Sequence, residues 1–234
     1  MWQLLFRKIL LGFQACHNIG VYNLDIKIDN ILLDNHFNPK ISDFGLGSNN
    51  PGLLTESRGT KNYMPPQMLE NKEYTGVKAD IFNLGSLLFI IVVGYPCFNY
   101  AIKTDYYYKH IVAKDNQFFT FLGNKFNIVN TLSLEFKNLL KRMIAYEEND
   151  RPDNIQQILG DIWFNGIQEN INDLENELNN LFVEKDNTVT TFILVNPDFL
   201  EQKWIHMEMK GVYPIDLLMK YFLKILFHKL KILI

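Results

Sequence analysis

Asp25, Lys27 and Asn30 form the pattern D-x-K-x-x-N, and thirteen residues after Asn30 stand Asp43, Phe44 and Gly45. Moving a phosphoryl group needs few parts: a carboxylate that orients a hydroxyl and takes its proton, a cation near the transferring phosphate, and a carboxylate with an amide oxygen to hold Mg²⁺. All four group types occur here within one short stretch. Either motif alone is weak, because a solvated turn accounts for D-x-K or for D-F-G. Their order and spacing together carry the reading.

The rest of the chain must supply a platform for these groups. With 234 residues and 47% hydrophobic content, it can bury one good core plus at most a small appendage. The net charge of −3 gives no global reason to expect nucleic acid as a partner. Cys16 and Cys97 lie far apart in apolar stretches, which predicts two buried thiols in a reducing, intracellular setting, cytoplasmic or nuclear. The opening stretch is amphipathic at helical spacing through Leu4, Leu5, Ile9 and Phe13, and it reads as a core helix closed near Gly20 rather than a signal peptide.

Short β-prone pieces at Ile31 to Leu33 and Pro39 to Ile41 flank turn residues Asp34, Asn35 and His36. Residues 46–66, rich in Gly, Ser, Asn and Pro, predict a long irregular loop of the kind that usually serves function. From Asp80 to Val93 the chain is apolar nearly all round, which predicts a central buried helix too short for a membrane span. Helical periodicity returns at Tyr106 to Ala113, Leu134 to Tyr146 and Ile155 to Phe164. The expected fold is mainly α, with one loop-rich face.

The stretch GVYNLDIKIDNILLDNHFNPKISDFGLG resembles the catalytic and metal-binding loops of eukaryotic protein kinases. GTKNYMPPQ, YTGVKADIFNLGSLLFIIVVGYPCF, LEFKNLLKRMIAYEENDRP and ILGDIWFNG follow in that family's order. Lys27 after Asp25, with Gly59-Thr60 downstream, is similar to the Ser/Thr branch, and the ISDFGL and W-F endings resemble its calcium/calmodulin-dependent-like group. The resemblance implies a kinase C-terminal lobe over residues 1–166 using ATP and Mg²⁺ on a protein substrate. It implies Asp25 as base, Lys27 as phosphate-facing cation, and Asn30 and Asp43 as Mg²⁺ ligands. Leu32 would lie beneath the adenine and Thr60 would brace Asp25 and Lys27. Asp80 would hold the catalytic loop from below, although in isolation it reads as an N-cap. Arg151 would anchor the activation segment, and His17 reads as structural.

Four departures from the family pattern bear on function. Asn23-Leu24-Asp25 stands where H-R-D is usual, so the arginine that would meet a phosphorylated loop is apolar and packing under Phe44 is reduced. Glu56 occupies the position three before Gly59 where relatives are often phosphorylated, with Thr55 as an alternative phosphosite; loop ordering is therefore expected not to follow the usual switch. Gln67 replaces the glutamate that pairs with Arg151, so another acid, Glu70 or Glu147, is expected to step in. Only 24 residues precede Asp25, too few for the β-rich N-terminal lobe with its glycine-rich loop, and little turnover is expected from the chain alone.

After Gly166 the sequence reads as a helical linker (167–187) and a small tail (188–234). The tail is expected to hold strands at Thr188 to Val195 and Trp204 to Met209 and a final helix opened by Pro214. That helix carries Lys220, Lys224, His228 and Lys231 on one stripe, so it can lie on an anionic membrane surface or cover the preceding strands. Two further readings stand beside the kinase: a catalytically silent scaffold that keeps the lobe as a partner-binding surface, and a binding module working through the basic tail.

Overall fold

The computed structural model describes residues 2–34 and 38–166 and the backbone of residues 212–214. Helix α1 (Trp2–Asn18) buries Leu4, Leu5, Phe6, Ile9, Leu10 and Phe13, a stripe at i, i+3, i+4 spacing that faces the core. It closes where Gly20 takes a φ of 73°. There the Gly20 N–H donates to the His17 carbonyl and the Val21 N–H to the Cys16 carbonyl, both at 3.0 Å, satisfying carbonyls the helix end would leave bare.

A hairpin follows, with β1 (Ile31–Asp34) antiparallel to β2 (Pro39–Ile41) and Ile31 opposite Ile41. On its other edge β1 pairs antiparallel with β5 (Val212–Pro214), Leu32 opposite Pro214. Pro214 thus closes a strand, and the helix expected to follow it lies outside the described residues. The remaining tail expectations, Thr188 to Val195, Trp204 to Met209, the 167–187 linker and the lysine stripe from Lys220, fall outside the described residues, as do Asn35 and His36.

Residues 46–66 are mostly irregular, but β3 (Leu53–Leu54) pairs antiparallel with β4 (Tyr74–Thr75) across the short helix α2 (Pro66–Leu69). Helix α3 (Gly76–Val93) starts four residues before the expected Asp80 and has 18 residues. By length and composition it could cross a membrane, which corrects the expectation that it is too short. Its burial decides otherwise: Ile81, Phe82, Leu84, Leu87, Leu88 and Phe89 are wholly enclosed by the protein's own side chains. Gly94, at φ 83°, ends it with an N–H bond to the Ile90 carbonyl.

The expected helix over Tyr106 to Ala113 shrinks to α4 (Lys109–Val112). The cause is Asp105, whose carboxylate accepts from the N–H groups of Asn99, Tyr100, Tyr107 and Tyr108 and so fixes a turn where the periodicity suggested helix. Helix α5 (Gln117–Lys125), unanticipated, buries Phe118 and Leu122. Helix α6 (Leu134–Met143) is capped by Ser133, whose Oγ accepts from the Phe136 N–H, and buries Phe136, Leu139, Leu140 and Met143 against α3. The last expected helix breaks at Gly160 into α7 (Ile155–Leu159), capped by Asn154, and a 3-10 turn (Ile162–Phe164).

The main apolar core gathers α1, α3, α5, α6 and α7 around the α3 side chains, and a second, smaller cluster forms around Leu24, Met64, Met68, Tyr74 and Ala79. Cys97 is buried, whereas Cys16 is only half-buried and both thiols are free. The expectation of two buried cysteines therefore holds for one of them.

Candidate active site

The loop that carries Asp25 is suspended from α3. Asp80 is wholly buried, and its Oδ2 and Oδ1 accept the backbone N–H groups of Asn23 at 2.9 Å and Leu24 at 2.8 Å. His17 Nε2 contacts Asp80 Oδ2 at 2.8 Å. Because α3 begins at Gly76, Asp80 is a mid-helix carboxylate spent on another loop, not an N-cap, and His17 is structural. These bonds fix Leu24 in an unusual left-handed conformation, φ 63°, which turns the chain into Asp25.

Asp25 is buried at 5% exposure. Its Oδ1 accepts the Thr60 hydroxyl at 2.7 Å and its Oδ2 pairs with Lys27 Nζ at 2.8 Å. Lys27 Nζ also reaches Thr60 Oγ1 at 3.0 Å. Three residues from two loops thus close a triangle. Gly59, at φ 108°, comes so near that an added Cβ would sit 2.5 Å from the Leu24 carbonyl oxygen; only glycine permits that approach.

Asn30 donates through Nδ2 to the Asp25 carbonyl at 3.1 Å, which commits the amide nitrogen to the loop and leaves its oxygen as the side chain's acceptor. The Asn30 carbonyl accepts the Ser42 N–H and hydroxyl, so the hairpin register brings Asn30 and Asp43 to the same end of β1 and β2. Asp43, at φ 60°, is exposed, and its Oδ1 accepts the Gly45 N–H at 3.1 Å. Leu32 alternates with buried Ile31 and Leu33 and is half-buried on the opposite face of β1.

Asn23 was expected only to weaken packing under Phe44, which is 38% exposed. The structure gives Asn23 a second task. Its Oδ1 accepts the Asp25 N–H and its Nδ2 donates to the Asp43 carbonyl at 2.9 Å, bridging the two loops that carry the acidic groups. Sequence spacing could have flagged it only as a buried polar residue needing partners. Tyr63 was also missed: its hydroxyl accepts the Ile28 N–H, and its carbonyl accepts Asn83 Nδ2, tying the segment after Thr60 to the loop and to α3.

Arg151, 2% exposed, holds the far end of this segment. Its Nη2 donates to Gln67 Oε1 at 2.6 Å and to the Tyr146 carbonyl, its Nε to the Ala145 carbonyl and its Nη1 to the Lys78 carbonyl. Its guanidinium also lies 5.0 Å over the Phe82 ring. The acid nearest to it is Glu148, at 3.9 Å. Glu70 is engaged instead by Tyr146 and Lys72, so the expectation of Glu70 or Glu147 as its substitute partner gives way to Glu148. Burial pushes the Arg151 pKa down to about 10. Glu56 and Thr55 are exposed, and Glu56 pairs with Arg58 within the same segment.

Among the described residues no cluster of three or more His, Cys, Asp or Glu side chains forms a closed metal cage. Comparison with known proteins agrees with the geometry. The protein kinase domain family matches residues 2–164. CBL-interacting protein kinase 3 of Oryza sativa subsp. japonica is 34% identical over 68% of this chain and 34% of its own length. CBL-interacting serine/threonine-protein kinase 26 of Arabidopsis thaliana is 34% identical over 68% of the chain and 35% of its own. CBL-interacting protein kinase 17 of Oryza sativa subsp. japonica is 37% identical over 60% and 30%. The chain spans about a third of the length of these curated relatives. A D-x-K-x-x-N loop hung from a buried helix, closed by Gly-Thr and followed by D-F-G, together with these matches, places the chain in the eukaryotic protein kinase family, Ser/Thr type.

Proposed function

We propose that this chain is the helical C-terminal lobe of a Ser/Thr protein kinase, transferring the γ-phosphoryl group of Mg-ATP to a protein Ser or Thr hydroxyl. The Asp25–Lys27–Thr60 triangle carries the proposal. Asp25 sits where a carboxylate can orient the incoming hydroxyl and accept its proton, while Lys27 offers a cation to the transferring phosphate. Thr60 holds both in place from the substrate side. Positioning supplies most of the acceleration in such reactions, which explains why so many bonds converge on one loop.

The donors fit magnesium. Asn30 offers an amide oxygen whose orientation its own Nδ2 bond fixes, and Asp43 offers an exposed carboxylate. Two hard oxygen ligands are the protein's usual share when phosphates and water complete the shell. Bound Mg²⁺ would neutralise phosphate charge; the chain's part is to hold Asn30, Asp43 and Asp25 at fixed separation, through Asn23 and the hairpin. Leu32, half-buried on β1, would lie beneath the adenine.

Thermal denaturation of the full-length protein with Mg-ATP tests the proposal, because a ligand that binds the folded state raises its Tm. Mg-ATP is expected to raise the wild-type Tm and to leave Asp43→Ala unmoved. Transfer to a Ser/Thr peptide, in the full-length protein, is expected to disappear in Asp25→Asn. A folded wild type that Mg-ATP does not stabilise would replace this reading with the partner-binding scaffold.

A further inference from the structure

Where α4 packs beside α5, part of the aromatic content faces outward. Tyr95 and Tyr106 are 45% and 55% exposed, and Tyr107, Phe121 and Phe126 are half-buried. Tyr106 meets Tyr107 edge-on at 5.1 Å and Phe121 at 5.4 Å, while Phe126 stacks on Tyr95 at 4.8 Å. Lysines complete the surface. Lys109 Nζ lies 4.9 Å over the Tyr106 ring, and Lys125 Nζ bridges the two halves at 5.4 Å from the Tyr107 ring and 5.0 Å from that of Phe126.

The acids of the same stretch are engaged elsewhere. Asp105 is buried and accepts backbone N–H groups, and Asp115 pairs with His110 Nδ1 at 2.9 Å and accepts the Gln117 N–H. Among the described residues, Lys109 and Lys125 therefore meet ring faces and no carboxylate. A ring face satisfies an exposed ammonium only weakly beside a carboxylate, so both cations are open to an anionic partner.

Three kinds of partner carry negative charge to such a face. Single-stranded nucleic acid needs open rings on which bases stack, whereas here Lys109 covers Tyr106 and Tyr95 covers Phe126. An anionic membrane is held by clusters of about four or more cations, and this face presents two. A protein segment fits better, because its carboxylates can replace the ring faces as partners of the lysines while its apolar side chains cover the exposed tyrosines.

We propose that this face is a docking surface for an acidic, aromatic-containing segment of a protein partner. Lys109 and Lys125 meet its carboxylates, and Tyr95 and Tyr106 cover its apolar side chains. None of these residues belongs to the Asp25–Lys27–Thr60 triangle, so the inference stands or falls apart from phosphoryl transfer.

Fluorescence anisotropy of a labelled random copolymer of glutamate and tyrosine, titrated with the full-length protein, provides the test. Binding is expected at low salt and should weaken as salt rises. Lys109→Glu combined with Lys125→Glu is expected to weaken it at least about tenfold, and Tyr106→Ser to weaken it as well. The same charge reversal at Lys40, exposed on β2, should leave it unchanged. Thermal melts establish which variants are folded; if the double reversal is not, Tyr106→Ser at its exposed position carries the test. Absence of copolymer binding, unchanged binding in the folded variants, or an equal loss in Lys40→Glu overturns the proposal. So does capture of oligo(dT) or of phosphatidylserine vesicles, in place of the copolymer, by this face.

Discussion

At the scale of single residues, Asp80 illustrates how far type and spacing reach. Its position alone suggested an N-cap, and the family resemblance suggested support of the loop; only the start of α3 at Gly76 and the bonds to Asn23 and Leu24 separate the two. Asp80→Asn keeps the shape but turns an amide NH₂ toward one of two backbone N–H donors or toward His17. A buried donor left unsatisfied costs about 1–3 kcal/mol, so a loss of about 2–3 kcal/mol in urea denaturation is expected, with His17→Ala losing less. An Asp80→Asn midpoint equal to wild type would show that the loop does not depend on these bonds. Gln67 shows the reverse case. The missing carboxylate was expected to be costly, yet Gln67 accepts from Arg151 and also donates to the Tyr146 carbonyl at 2.7 Å. Gln67→Glu gains a charge-assisted bond and loses that donation, terms of about 1 kcal/mol each. The variant should therefore lie within about 1 kcal/mol of wild type, whereas Arg151→Met, which removes the donors of the Ala145 and Lys78 carbonyls and of Gln67 Oε1, should lose at least about 3 kcal/mol.

At the scale of elements, the helices that pack on one face were legible because apolar period alone specifies them: α1, α3 and α6 appear within a few residues of expectation. The strands β1 and β2 were legible from β-branched and turn residues for the same reason. What periodicity hid was local polar competition. Asp105 unwinds the start of α4, and Gly160 with the Asp161 carboxylate, which accepts the Trp163 N–H, splits the last helix. The pairing of β3 with β4 depends on residues about twenty apart and leaves no local trace. Packing between elements was equally silent, and Gly85 makes that testable. A Cβ there would lie 2.8 Å from both the Cβ of Met143, the last residue of α6, and Ile144 Cγ2, just beyond it. Alanine would gain about 1 kcal/mol in helix propensity, but Met143 Cβ is anchored to backbone and cannot swing away. Overpacking typically costs about 1–3 kcal/mol, so Gly85→Ala should be destabilising by about 1–2 kcal/mol in chemical denaturation. A stabilised variant would mean that α6 shifts freely against α3.

At the scale of the whole molecule, Leu69 packs against both apolar clusters, and two acids tied to Arg151, Glu148 directly and Glu70 through Tyr146, respond to pH in opposite directions. Burial is the largest influence on Glu148 and holds its carboxyl above the ordinary value, although Arg151 and the Thr75 N–H pull it down. Its protonated form is thus favoured by folding. Its contribution to stability is complete below about pH 4.5 and is lost as pH rises through the folded value. For Glu70 burial is again the largest single influence, but the Lys72 ammonium and the Tyr146 hydroxyl together outweigh it and leave the carboxyl below its ordinary value. Glu70 therefore contributes stability above about pH 4.5, and that contribution fades as pH falls through its folded value. Glutamine at either place keeps a hydrogen-bond acceptor and removes the titration. Between about pH 3 and 6, Glu148→Gln should steepen the loss of stability on acidification, because it removes the group that opposes that loss. Glu70→Gln should flatten the same curve. Urea midpoints taken across this range for the three proteins would decide the matter, and curves that stay parallel would mean that neither acid is coupled to folding as its surroundings imply.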